Sequence, residues 1–178
     1  MSTKTNFVWR FIQVVCWVIF IGLCIQTGAL LFNFIYSLYK PVATHRLYMQ
    51  LNLHDLYQQN FAVYSGIMIL IIGISAYKAY VFYRVIKLFE ILNLVKPFSQ
   101  QVQTAITQIS YHGFGIGLIS FVAHKVVTTK LQPSFSIGIA PSFWNDWGAY
   151  LMMSAILYVI ALIFKKGIAL QSEVDLTV

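Results

Sequence analysis

Four long apolar runs, separated by polar and proline-bearing stretches, set the pattern of the chain. They cover about residues 11–36, 61–83, 105–127 and 146–164. Each is near the length of roughly 20 residues that a helix needs to cross about 30 Å of hydrocarbon. No water reaches the backbone there, so each run must coil and bond its own amides. The pattern predicts an all-α integral membrane protein with four transmembrane helices in an antiparallel bundle. The connections are too short to fold alone, so residues 1–178 read as a single four-span membrane domain.

Polar punctuation refines this. Lys4 and Arg10 precede the first run, as in a signal peptide or an uncleaved anchor, and apolar residues continue through Leu30, Leu31, Phe32, Phe34 and Ile35. That length exceeds a signal core and marks an anchor. Prolines halt helices in the connections 37–60 (Pro41) and 128–145 (Pro133 and Pro141). Trp144, Trp147 and Tyr150 resemble an interfacial aromatic belt at the entry of the fourth helix. In the connection 84–104, Val85, Ile86, Leu88, Phe89, Ile91, Leu92 and Leu94 surround Lys87, Glu90 and Lys96. This segment extends the second helix or lies along the membrane surface until Pro97.

Lipid tails are as apolar as Leu, so small and polar residues reveal which faces pack. On the third helix Ser110, Gly113, Gly117, Ser120 and His124 share one side; Ala62, Gly66, Gly73 and Ala76 form a stripe on the second. On the first, Gln13, Cys16, Cys24 and Thr27 fall within a narrow arc. These faces predict a monomeric bundle or, through Gly113 and Gly117, a homodimer.

Composition agrees with a lipid solvent: 59% of the 178 residues are hydrophobic and 10% charged, against roughly a quarter charged in soluble domains. The net charge of +7 is spread without a basic run, which argues against direct nucleic-acid binding. It bears on orientation instead. Lys4, Arg10, Lys78, Arg84, Lys87, Lys96, Lys165 and Lys166 lie toward the termini and the 84–104 connection; Lys40, Arg46, Lys125 and Lys130 lie on the other side. Eight against four predicts both termini, the 84–104 loop and the tail 165–178 in the cytoplasm, provided Lys78 snorkels to that side. Cys16 and Cys24 are separated by about 12 Å of helical rise and cannot bridge each other.

No phosphate-binding Gly loop, zinc-spaced Cys pair or nucleophile elbow occurs, and nothing in the chain implies a cofactor. Asp55, Glu90, Asp146, Glu173 and Asp175 all read as lying outside the hydrocarbon, which argues against an ion-coupled pump. Gln26, Asn33, Gln108, Tyr111 and His112 are the polar core candidates, for interhelical hydrogen bonds or for a ligand. His45, His54 and His124 could converge on a metal or remain solvated at the interface. The surface for a cytoplasmic partner comprises Arg84, Lys87, Lys96, Pro97 and Phe98 with Gln171, Glu173, Asp175 and Leu176 of the tail. That tail could add a strand to a partner, fold against the 84–104 segment, or fray.

The run Tyr83-Arg-Val-Ile-Lys-Leu-Phe, the segment Pro97-Phe-Ser, the opening Ile109-Ser-Tyr and the tail from Phe164 to Val178 together resemble a bacterial family of small four-helix membrane proteins, the domain-of-unknown-function family twenty-nine seventy-five. The likeness spans nearly the whole chain, with departures at Ala169, where the family pattern tends to be acidic, and Val174, where it tends to be Asn. The family has no established activity. The resemblance implies a multi-pass protein of the bacterial inner membrane, and a small helix-turn-helix regulator as cytoplasmic partner. Two functional readings follow. One is a non-enzymatic sensor or an anchor for that regulator. The other is a binding protein or carrier for a lipid-like or aromatic molecule, its polar end held by Gln108, Tyr111 and His112. A membrane enzyme would need a site built from His45, His54 and His124.

Overall fold

The computed structural model describes the backbone of residues 3–92, 97–135 and 137–176 and the side chains of 7–92, 97–135 and 137–173. The described residues form five α-helices and no strand: α1 (Thr3–Tyr39), α2 (His54–Gln59), α3 (Phe61–Ile91), α4 (Gln100–Val126) and α5 (Trp147–Leu176). Four of them, α1, α3, α4 and α5, are long and apolar enough to cross a membrane.

The helices outrun the apolar segments. The second helix continues eight residues past the expected 83, the third starts at Gln100 and not 105, and the fourth carries most of the tail 165–178. Hydropathy marks the length in hydrocarbon, whereas the backbone keeps coiling until a cap or proline stops it. Asn60 and Ser99 supply such stops: their side chains accept from Val63 N and Val102 N at the starts of α3 and α4. Much of the expected 84–104 loop is therefore helix. The tail is neither strand nor frayed coil up to Leu176.

Packing follows chain order. α1 lies against α3, α3 against α4, and α4 most extensively against α5, which leaves the array open between α1 and α5. Gly113 and Gly117 sit in the α4–α5 seam: a Cβ at Gly117 would stand 2.7 Å from Leu151 Cδ2, and one at Gly113 3.4 Å from Ser154. Ser110 Oγ crosses the same seam to donate to Ser154 O at 2.8 Å. The face expected to pack does so, but it packs within the chain, so α5 already covers the surface proposed for a homodimer. The stripe on α3 is different. Ala62, Gly66 and Gly73 are exposed, and a Cβ at either glycine meets nothing within 4 Å. The opposite face, with Tyr64, Ile67, Met68, Ile71 and Ile74, is buried, because the neighbouring space is wide and needs bulky side chains to fill it.

That space is filled by the two connections at one end of the array, called here the loop end; the other, with the termini and the α3–α4 connection, is the terminal end. Leu47, Leu51, Leu53 and Leu56 from the first connection and Ile137, Ala140 and Trp144 from the second join α1 and α3 residues in the largest core cluster. A buried hydrogen bond of 2.6 Å joins Ser37 of α1 to Tyr64 of α3 beneath it. At the terminal end Phe98 packs on Phe164, and its ring occupies the notch left by Gly167, where a Cβ would lie 2.6 Å away.

Candidate functional site

Lys78 lies near the middle of α3, about 26 Å of helical rise from Phe61, and is 8% exposed. A helical side chain leans toward its helix's N-terminus, so Lys78 reaches toward the loop end and not to the terminal end as the charge pattern suggested. Its ammonium stands 2.6 and 2.9 Å from the two carboxylate oxygens of Asp146 and 3.2 Å from Phe143 O. The Tyr150 ring lies beneath it, 5.4 Å from nitrogen to centroid. The ammonium is thus held by one carboxylate and one backbone carbonyl.

Asp146 comes to this depth because the connection before α5 folds inward. The 3₁₀ turn Ala140–Trp144 buries Trp144 completely, and α5 begins beside Phe121 of α4, against which Trp147 packs edge-on. α4 itself continues past that level into a π turn at Val127–Leu131. Asp146 O accepts from Tyr150 N in the first turn of α5, which puts a carboxylate at the positive end of the helix dipole. Asp146, read from the sequence as lying outside the hydrocarbon, pairs with a buried lysine of α3. An ionised group buried among membrane helices is expensive without a partner, which makes such a pair a candidate functional site.

The pair borders a cavity of ≈ 560 Å³ in the opening between α1 and α5. Ile19, Leu23 and Gln26 of α1 form one wall, and Ser75, Lys78 and Phe82 of α3 another. Ser142, Phe143, Asn145, Asp146 and Tyr150 close the side toward α5, with Met49 at the edge. Met49 and its neighbour Gln50 have φ of 58° and 62°. Two successive left-handed residues that are not glycine cost on the order of 1 kcal/mol or more each, and strain of this kind gathers at ligand clamps and switch segments.

Of the polar core candidates, Gln26 alone reaches this cavity. Asn33 donates to Ala29 O of its own helix at 2.7 Å. His112 Nδ1 lies 3.0 Å from the Tyr77 hydroxyl, and Gln108, exposed, accepts from Arg84. Tyr111 is exposed on a groove of ≈ 280 Å³ between α4 and α5, next to Tyr158. Gln108, Tyr111 and His112 therefore turn to different neighbours within about one helical turn of α4.

The histidines also divide. His45 and His54 stack with centroids 3.6 Å apart, and His54 is held by Thr44 through Nδ1 and Gln58 through Nε2, both at 2.8 Å. His124 lies apart, its Nδ1 3.4 Å from Pro141 O. Among the described residues no group of three His, Cys, Asp or Glu is placed to hold a metal.

At the terminal end Arg84 is engaged by Gln108 and Lys87 by Glu90 at 2.8 Å. Gln171 is exposed, Glu173 has a partner, and Phe98 is seated on α5. Lys96 and the side chains of Asp175 and Leu176 lie outside the described residues.

Lys78, Asp146, Ser75, Asn145, Tyr150 and Met49 are site residues that sequence reasoning missed. A signal existed: Lys78 interrupts an apolar run, a lysine there must find a carboxylate, and Asp146 alone among the five acids adjoins the start of another run.

No curated protein and no solved structure matches this chain. A family model described as Protein of unknown function (DUF2975) matches residues 30–178 and so takes in α3, α4, α5, the two connections at the loop end and all of the cavity except the α1 residues Ile19, Leu23 and Gln26. With four apolar helices in place and most of its length covered, the chain belongs to that family of unknown function.

Proposed function

We propose that this is a non-enzymatic sensor of the bacterial inner membrane, which binds a small molecule beside Lys78 and Asp146 and signals through its terminal end to a cytoplasmic regulator. The observation that carries the reading is the ion pair between the buried Lys78 of α3 and Asp146 at the start of α5, on the wall of a ≈ 560 Å³ cavity. A charge pair with its lysine buried is costly to keep for packing alone, and the cavity volume lies within the range of small-molecule sites. Coupling to the terminal end has a physical route. Asp146 adjoins the first turn of α5, and the same helix carries Gly167, on which Phe98 is seated. A tilt of α5 would shift that seat.

Charge supports the terminal end as the cytoplasmic one. With Lys78 assigned to Asp146, seven basic residues remain there (Lys4, Arg10, Arg84, Lys87, Lys96, Lys165 and Lys166) against Lys40, Arg46, Lys125 and Lys130 at the loop end. The regulator proposed is a small helix-turn-helix protein, held by the 97–99 segment and the end of α5. Full-length protein purified in mild detergent from its own membranes is expected to bring down a small soluble protein. Leu23→Trp fills the cavity while leaving the ion pair intact, and is expected to change that yield several-fold. Repeated preparations without a co-purifying protein would remove the regulator; equal yields from both proteins would uncouple it from the cavity.

A further inference from the structure

We infer that the cavity takes an uncharged amphiphile whose hydroxyl group hydrogen-bonds the Asp146 carboxylate. The inference rests on the ligand-binding reading above and names its ligand class. The charge state of the site decides it. The ammonium of Lys78 already carries the Asp146 carboxylate, through both oxygens, and Phe143 O, so an anion entering the cavity meets a cation that is neutralised. To pair with it the anion must share it with Asp146, two like charges on one ammonium, or displace Asp146 and leave a carboxylate unpaired. A cation meets the reverse obstacle, sharing a carboxylate with an ammonium already 2.6 Å from it, two like charges on one anion where water is scarce. A neutral group leaves the pair intact.

The polar groups still available suit a hydroxyl. The Asp146 side chain is 44% exposed while that of Lys78 is 10% exposed, so the carboxylate is the member of the pair open to a newcomer. Gln26 on the α1 wall and Asn145 beside Asp146 make no side-chain hydrogen bond to the described residues. A hydroxyl can donate to Asp146 and at the same time accept from one of these amides. Ile19, Leu23 and Phe82 offer apolar wall for the remainder of the molecule. The gap between α1 and α5 lets a lipid-soluble compound approach from the side.

The test uses three probes that share one chain and differ only in the head group: 1-dodecanol, dodecanoate and dodecylamine. Each is added at equal concentration to full-length protein in detergent, and retention is read by native mass spectrometry. The wild type is expected to retain dodecanol roughly tenfold more than either charged probe, one factor of ten being about 1.4 kcal/mol. Asp146→Asn frees the Lys78 ammonium and is expected to pass the preference to dodecanoate. Asn145→Ala leaves the pair untouched and is expected to lower dodecanol retention several-fold at an unchanged melting temperature, which keeps the test valid if Asp146→Asn folds poorly. Wild-type retention of dodecanoate or dodecylamine equal to or above that of dodecanol would overturn the ligand class and leave the cavity as a site. Retention of all three probes at the level of Leu23→Trp would overturn the site itself.

Discussion

At the residue scale the buried ammonium of Lys78 is answered by Asp146. Removing one partner of a buried pair leaves the other charge uncompensated, at 3–5 kcal/mol where both are fully buried. With Asp146 half-exposed, Lys78→Met is expected to cost about 1–3 kcal/mol. Melting in detergent measures it. The double variant Lys78→Met with Asp146→Leu is expected to lose less than the sum of the single variants, since neither charge is then stranded; additive losses would show that the two groups do not interact. Half of this site was legible in the sequence. Lys78 breaks an apolar run in plain view, but a count of charges by loop cannot tell a lysine that snorkels outward from one that reaches back along its helix to a carboxylate. Gln26 was recognisable as a polar residue needing a partner, whereas the roles of Asn145 and Met49 depend on a fold-back of the connections that leaves no periodic trace.

At the element scale two glycines test the packing in opposite directions. Gly117 has Leu151 N within 3.0 Å of where a Cβ would be, while Gly66 has nothing within 4 Å. Gly117→Val is expected to force α4 and α5 apart at a cost of about 1–3 kcal/mol, and Gly66→Val to leave melting unchanged or to raise it; a common response to both would deny the asymmetry. Gly167→Val is the corresponding probe of the terminal end. Its side chain would displace the Phe98 ring, so proteolysis within 92–99 is expected to quicken while the melting of the spans stays as it was. The small residues of α4 lie in a seam with α5 and those of α3 on an exposed face, for one reason. Spacing shows where close approach is permitted, and only the neighbour's position shows whether it is used.

At the scale of the whole molecule the helices form an open row, α1 to α3 to α4 to α5, capped at one end by connections that are themselves a hydrophobic core. An even number of spans puts both termini on one side. Reporter fusions to residues 1 and 178 are accordingly expected to report the same compartment, the cytoplasm under the proposed orientation; opposite reports would mean that one of the four helices does not cross. A closed four-helix bundle would have filled the place of the cavity with side chains. Here α1 touches α3 alone among the long helices to any great extent, and the space toward α5 remains.

The sequence by itself determined the solvent, the number of spans, the helical state and the family, because apolar run length and the need to satisfy amides in lipid are properties of each segment taken alone. The tertiary structure alone decided which helix faces meet, how deep α5 begins, and that Lys78 and Asp146, 68 positions apart, share a cavity. Those are relations between segments, fixed by how the buried Trp144 turn and the leucines of the cap draw two connections down between the helices, and no pattern within a single segment records them.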